Sequence, residues 1–212
     1  MFAGWMELQQ LITDGRRRRG LRTRQAILGH AARLGSAEGL ESVSLQRLAG
    51  DLGISKSGLF AHFGSKEELQ LATVEEASRI FTREVLVPGL KHPRGVERVQ
   101  ALCDAFLSYL QRDVFPGGCF FQAAAAEFDS KPGPLRDAIL QRKRYWEDSL
   151  VRAVREGQAA GSIKASVDAE QLGWELHCLL AGANDRHLES RDRKDFERAR
   201  RAIRERLEAA TD

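Results

Sequence analysis

Little in this chain could cross-link it. Cysteine occurs three times in 212 residues, at Cys103, Cys119 and Cys178, an odd number widely spaced. That excludes a disulfide framework and zinc-type spacing, and it reads as reduced thiols in a cytoplasmic protein. Proline is scarce, with five residues at 88, 93, 116, 132 and 134, all where helical patterns break. Alternation of apolar and polar residues is nowhere sustained, so strands find no support. No apolar run approaches the ~18–20 residues of a membrane span. The arginines near the N-terminus follow the apolar residues, the reverse of a secretory signal, so no export signal is expected. Walker loops, dinucleotide fingerprints, nucleophile elbows and HExxH patterns are also missing, and the five histidines are scattered. The chain therefore does not read as an enzyme, and no catalytic residue, metal or cofactor is expected.

What is present is ordinary for a globular protein: 42% hydrophobic and 30% charged residues, enough chain for one or two domains with a sizeable core. Net charge is only +3, but it is unevenly placed. Residues 1–64 hold nine Lys/Arg against five Asp/Glu, a balance of +4, which leaves −1 for the rest. A basic front and a neutral back point to an anionic partner for the front.

Apolar spacing predicts helices nearly throughout. The first runs from about Leu21 to Ala37, with Ile27, Ala31 and Leu34 on one face. The second follows Ser44 as N-cap and ends at Gly53. The third runs from after Ser55 to about Phe63. Ser65 and Glu68 form a capping box for a fourth helix, ending near Leu86 before Pro88. Further helices are expected over about Arg94–Asp113, Cys119–Phe128, Leu135–Gln158, Asp168–His187 and Asp192–Ala209. The class is all-α.

Residues 44–63 are the informative stretch. Two short helices joined by a Gly-containing turn fit a helix-turn-helix, whose second helix enters the major groove with its N-terminal residues toward the bases. Lys56 and Ser57 supply a cation and a hydroxyl at that leading end. Gly58 removes a side chain where DNA and backbone approach, and His62 and Lys66 can reach flanking phosphates. The alternative from periodicity alone is a plain helical hairpin. Arg16, Arg17, Arg18 and Arg19, with Arg22 and Arg24, precede the first helix. As a flexible basic arm they would enter a minor groove or make loose phosphate contacts, and Arg18 and Arg19 are its candidate residues.

Thr23-Arg24-Gln25-Ala26-Ile27-Leu28, Ala31-Ala32, Gly39, Ser44 to Ala49 and Gly53 to Leu69 together resemble the DNA-binding signature of the TetR family of transcriptional repressors, with spacing intact over about residues 21–69. The resemblance implies an N-terminal three-helix DNA-binding domain (21–66) behind a basic arm (1–20), and a C-terminal helical ligand-binding and dimerisation domain (67–212). It implies a homodimer on a palindromic operator in double-stranded DNA, released by a small-molecule effector. It makes Thr23, Ser44, His62 and Lys66 phosphate contacts, and Lys56, Ser57, Gly58 and Phe60 the recognition face. Where the family often has tyrosines, this chain has Phe60-Ala61. Phe60 offers a thymine methyl a partner and no hydroxyl for a phosphate.

An effector pocket would be built from Phe81, Phe106, Tyr109, Phe120, Phe121, Phe128, Tyr145, Trp146, Trp174 and His177, suiting an apolar or aromatic ligand; the alternative is that these are core. In the resemblance the last two helices pair with their copies, making Leu172, Leu176, Leu179, Leu180, Ala183, Phe196, Ala199 and Ile203 the dimer interface. The competing function is a helical adaptor or sensor that has lost specific DNA binding.

Overall fold

A computed structural model describes the backbone of residues 3–211, and the side chains of Arg18 and of residues 20–211. Among the described residues there are helices and no strands. α1 (Ala3–Glu38) leads through a 3-10 turn (Leu40–Ser42) to α2 (Leu45–Leu52) and α3 (Lys56–Phe60). α4 (Lys66–Phe81) passes through a π turn (Thr82–Leu86) into α5 (Val87–Leu90). α6 (Val96–Gln111), α7 (Phe120–Phe128), α8 (Pro134–Ala159), α9 (Ala169–Ser190) and α10 (Lys194–Glu208) complete the chain. α1 packs on α4 and α7; α6 packs on the α4–α5 rod and on α8, α9 and α10, α8 packs on α4, α7 and α9, and α10 packs on α9.

Serine caps start α2, α3 and α4. Ser44 accepts the Arg47 amide and Ser55 accepts the Gly58 amide. Ser65 accepts the Glu68 amide, but the Glu68 carboxylate reaches the amide of Gly64 and not that of Ser65. Gly53, at φ 63°, supplies the left-handed residue that ends α2, a conformation costly for a side chain with a Cβ.

Three boundaries differ from the sequence expectation. α1 begins at Ala3, not Leu21: residues 3–20 contain no proline and are rich in Leu, Gln and Arg, so nothing in the sequence stops a helix there. α3 ends at Phe60 because the amides of His62 and Phe63 both turn back to the Leu59 carbonyl, tightening the last turn and swinging Phe63 into the core. The α4 rod continues past Leu86 despite Pro88. The π turn carries it, with the Val87 amide reaching the Thr82 carbonyl five residues back, and Pro88 then sits in the first turn of α5, where no N–H is required.

Candidate nucleic-acid interface and aromatic cavity

The helix pair is built from the inside out. Leu45 and Leu48 of α2, and Leu59 and Phe63 beside α3, are buried against Ile27, Leu28 and Ala31 of α1 in the continuous core. Arg24 lies over the Phe63 ring at 4.8 Å, so this arginine is tied to the domain. Arg47 clasps α1 to α2, bonding Glu38 at 2.8 and 3.0 Å and Asp51 at 3.1 Å, and His30 joins the same Asp51. The His30 and Arg47 hydrogen bonds hold the Asp51 carboxyl below its ordinary pKa.

With that face buried, the opposite face of α3 is free. Lys56, Ser57 and Phe60 are exposed, with Phe60 at 46%. Ser57 Oγ lies 3.3 Å from the capping Ser55 hydroxyl. Gly58 has a reason inside the domain: a Cβ there would stand 3.1 Å from Ser55 Oγ and press on the cap. Thr23 is exposed, and His62 is half-buried. Ser44 spends a lone pair on capping and keeps its O–H to donate. Lys66 is less free than the sequence suggests, because Nζ donates to Glu41 at 2.8 Å. That hydrogen bond is the leading cause of the lowered Glu41 pKa, with Lys131 adding to it. The pair is exposed, so a phosphate can compete for the lysine. Arg18 is exposed; Arg19 lies outside the described side chains.

The aromatic residues divide. Phe81, Phe106, Phe121, Trp146 and His177 line a partly open cavity of about 170 Å³ between α4, α6, α7, α8 and α9, together with Cys119, Gln122, Arg142, Lys143 and Ala181. Phe106 and Trp146 stack at 5.5 Å, with Phe81 edge-on to both. Tyr109 and Phe120 are core beside it, Tyr109 edge-on to Phe81 and Phe120 to Phe121; Phe128 is also core. Burial drives the Cys103 thiol far above its usual range and raises those of Cys119 and the Tyr109 phenol.

Two expectations are corrected here. Tyr145 and Trp174 stand 50% and 62% exposed and line surface grooves on α8 and α9, not the cavity itself; the Trp174 groove adjoins it at His177. Each lies on the outer face of its helix, since the inner face is taken by Trp146 and by Leu172 and Leu176. Most of the leucine stripe is likewise turned into its own chain. Leu172, Leu176, Leu180, Ala183, Phe196, Ala199 and Ile203 are buried within their own chain, and Leu179 is half-buried. In a bundle of this size the strongest apolar stripe of each helix is needed by its own subunit.

Sequence reasoning missed the joint between the halves. On α7, Glu127 accepts the Leu40 and Glu41 amides at 2.6 and 2.9 Å, gripping the turn before α2. Arg33 donates to the Val114 carbonyl at 3.1 Å. Gly117 approaches α1 so closely that a Cβ would meet the Ser36 carbonyl oxygen at 1.7 Å. A glutamate inside a short apolar helix, six residues after Phe121, was the available signal.

Among the described residues no helix is long and apolar enough to cross a membrane, and no cluster of three or more His, Cys, Asp or Glu could hold a metal ion.

Residues 27–73 match the family described as bacterial regulatory proteins, tetR family. Residues 95–203 match the tetracyclin repressor-like C-terminal domain. The HTH-type transcriptional regulator TcmR of Streptomyces glaucescens is 30% identical over 150 residues, which is 67% of this chain and 64% of TcmR, so the match spans just under two thirds of that relative. A TetR transcriptional regulator from Chloroflexus aurantiacus superposes with a TM-score of 0.81 at 27% identity, covering 88% of this chain and 94% of that one. AibR, solved in complex with isovaleryl coenzyme A and operator DNA, superposes with a TM-score of 0.66 at 23% identity, covering 85% and 95%; it shares the fold.

Proposed function

This chain belongs to the TetR family of bacterial transcriptional regulators, and from that premise we propose that it is a cytoplasmic repressor that binds a palindromic operator as a homodimer and releases it when a small molecule fills the aromatic cavity. The observation that carries the DNA-binding half is the free face of α3. Lys56 and Ser57 lead it and Phe60 is exposed beside them, while Leu59 and Phe63 fix the helix from behind. Lys56 and the α3 backbone serve as anchors. Phe60 reads a thymine methyl, and Thr23, Ser44, His62 and Lys66 hold phosphates. Arg18 and the neighbouring arginines add sequence-independent attraction.

Two copies then need a face other than the buried leucine stripe. Trp174, Cys178 and Gly182 are exposed at four-residue spacing on α9 and supply one. The cysteine and glycine let two helices approach, and the tryptophan gives a large apolar area to cover.

The test is fluorescence anisotropy with DNA from upstream of the protein's own gene, at several salt concentrations. Saturable binding that exceeds random DNA of equal length, with two subunits per site, supports the reading. Equal, weak binding to both in a selection that covers the whole genome would favour the adaptor reading, which draws on Phe60-Ala61 lacking the phosphate-reaching hydroxyls.

A further inference from the structure

We propose that Lys131, in the loop between α7 and α8, is a DNA-phosphate contact supplied by the C-terminal half, and that it joins Lys66 in holding one phosphate of the operator backbone. The proposal rests on the DNA-binding reading and extends that interface beyond the helix-turn-helix.

The two lysines come from opposite halves of the chain and meet at one carboxylate. Glu41 Oε2 accepts from Lys66 Nζ at 2.8 Å, and Glu41 Oε1 stands 3.7 Å from Lys131 Nζ. Both lysines hold the Glu41 carboxyl below its ordinary pKa, Lys66 more than Lys131. All three side chains are about half exposed, at 47–49%. An ion pair that open to water contributes little and is readily exchanged. The 3.7 Å separation is also beyond hydrogen-bonding range, so Glu41 does not occupy the Lys131 donors.

A phosphodiester carries one negative charge on two free oxygens, as the Glu41 carboxylate does. It can take that carboxylate's place between the two ammonium groups, one oxygen to each, and leave the local charge balance as it was. A second cation answers a need here. Lys66 opens α4 beside Glu67 and Glu68, whose charges make a single lysine a poor anchor for an anion. Lys131 is also held in place. Its amide donates to the Phe128 carbonyl at 3.1 Å, and its ammonium lies 4.8 Å from the centre of the buried Phe128 ring. Part of the cost of ordering a long side chain is therefore met before DNA arrives. Because Lys131 follows α7 directly, a displacement of α7 would move a phosphate contact as well as the Glu127 joint.

The experiment is fluorescence anisotropy with the full chain at salt concentrations from 50 to 200 mM. Two probes of equal length are used, a duplex from upstream of the protein's own gene and a random-sequence duplex. One phosphate contact contributes about 0.9 to the slope of log K against log salt, or roughly a 3.5-fold loss of affinity across that range. Lys131→Gln should therefore lower the slope by about 0.9 on both probes, and Lys131→Arg should restore it. Lys91→Gln, roughly 35 Å away at the far end of the α4–α5 rod, should leave the slope unchanged and so control for net charge. Glu41→Gln, which removes the competing carboxylate, should tighten binding by up to about fivefold, and by less when Lys131 is also Gln. Thermal melts would establish that each variant folds. A Lys131→Gln slope equal to that of the wild type would overturn the proposal, as would an equal loss in Lys91→Gln. A lower melting temperature with an unchanged slope would make Lys131 a clasp between the halves and nothing more. If Lys56→Ala lowers the slope and Lys131→Gln does not, this contact falls and the DNA-binding reading stands. If the wild-type chain binds neither probe, both fall.

Discussion

Replacing Glu127 by alanine tests whether the two halves of the molecule are joined as the structure implies. The carboxylate accepts the Leu40 amide at 2.6 Å and the Glu41 amide at 2.9 Å, across more than eighty residues of sequence. Leu40 is fully buried, and its carbonyl is held by Gln70 Nε2 at 2.8 Å, so this turn cannot re-solvate easily when one partner leaves. A hydrogen bond to a charged group contributes about 1.5–3 kcal/mol. The bond to Leu40 is part-buried and counts near the low end of that range. The bond to Glu41 is exposed and contributes a few tenths of a kcal/mol or somewhat more. Glu127→Ala should therefore cost about 2–3 kcal/mol. At roughly 2–4 °C per kcal/mol for a chain of this size, the melting temperature should fall by about 5–10 °C. Glu127→Gln keeps one acceptor oxygen and should lose about half as much. The assay is a thermal melt followed by circular dichroism, with operator affinity measured well below the transition. A melting temperature unchanged in Glu127→Ala would refute the argument that this carboxylate holds the turn.

Lys56→Ala should weaken operator binding and reduce the slope of log K against log salt by about one, the signature of one lost phosphate contact; an unchanged slope would remove Lys56 from the interface. Cys178 is exposed while Cys103 and Cys119 are buried. If copies meet through Trp174, Cys178 and Gly182, mild copper-catalysed oxidation should give a covalent dimer on a non-reducing gel, absent in Cys178→Ser; a chain that stays monomeric on the gel would place the interface elsewhere. His177 carries a pKa held below its ordinary 6.5, mainly by burial. The unfolded chain then takes up a proton that the folded chain refuses, so this contribution to stability is present above pH 6.5 and lost as pH falls below it. Melting temperatures measured between about pH 5 and 8 should show that decline in the wild type and a flatter profile in His177→Phe; identical profiles would mean that His177 is not buried as a neutral ring.

The helix-turn-helix was legible because its local signals agree. Ser44, Ser55 and Ser65 each cap the helix that follows, Gly53 takes a left-handed conformation, and Leu48, Leu59 and Phe63 share one buried face. Each is decided within a few residues of itself. The C-terminal half was legible only as helices. Periodicity says that Leu172, Leu176 and Leu180 are covered but not by what, so a stripe serving its own subunit reads the same as one serving a partner. For aromatics the ambiguity is sharper. Tyr145 and Trp146 are adjacent in sequence, so a rotation of about 100° along α8 separates an exposed ring from a cavity wall. Pro88 marks a helix end in sequence, and only the backbone shows a π turn carrying the rod past it. Glu127 acts at residues 86 and 87 positions away, beyond the reach of any local pattern.

That long-range joint suggests how a ligand in the cavity can be felt at α3. α7 has Phe121 and Gln122 in the cavity wall and Glu127 on the turn before α2. Six residues of helix separate Phe121 from Glu127, about 9 Å, so both ends move with one short rigid element. A ligand alters DNA affinity only by the difference in its own affinity for the two conformations, and a tenfold change requires about 1.4 kcal/mol. The Leu40 bond alone is of that size, so an α7 displacement that breaks it is sufficient without any contact between ligand and α1, α2 or α3. The effects should then overlap. In the wild type a bound ligand should weaken operator binding, whereas Glu127→Ala, with the joint already cut, should start weaker and respond little. A ligand response of full size in Glu127→Ala would show that the signal bypasses α7 and travels down the α4 rod, which shares Phe81 with the cavity and leads directly back to Lys66.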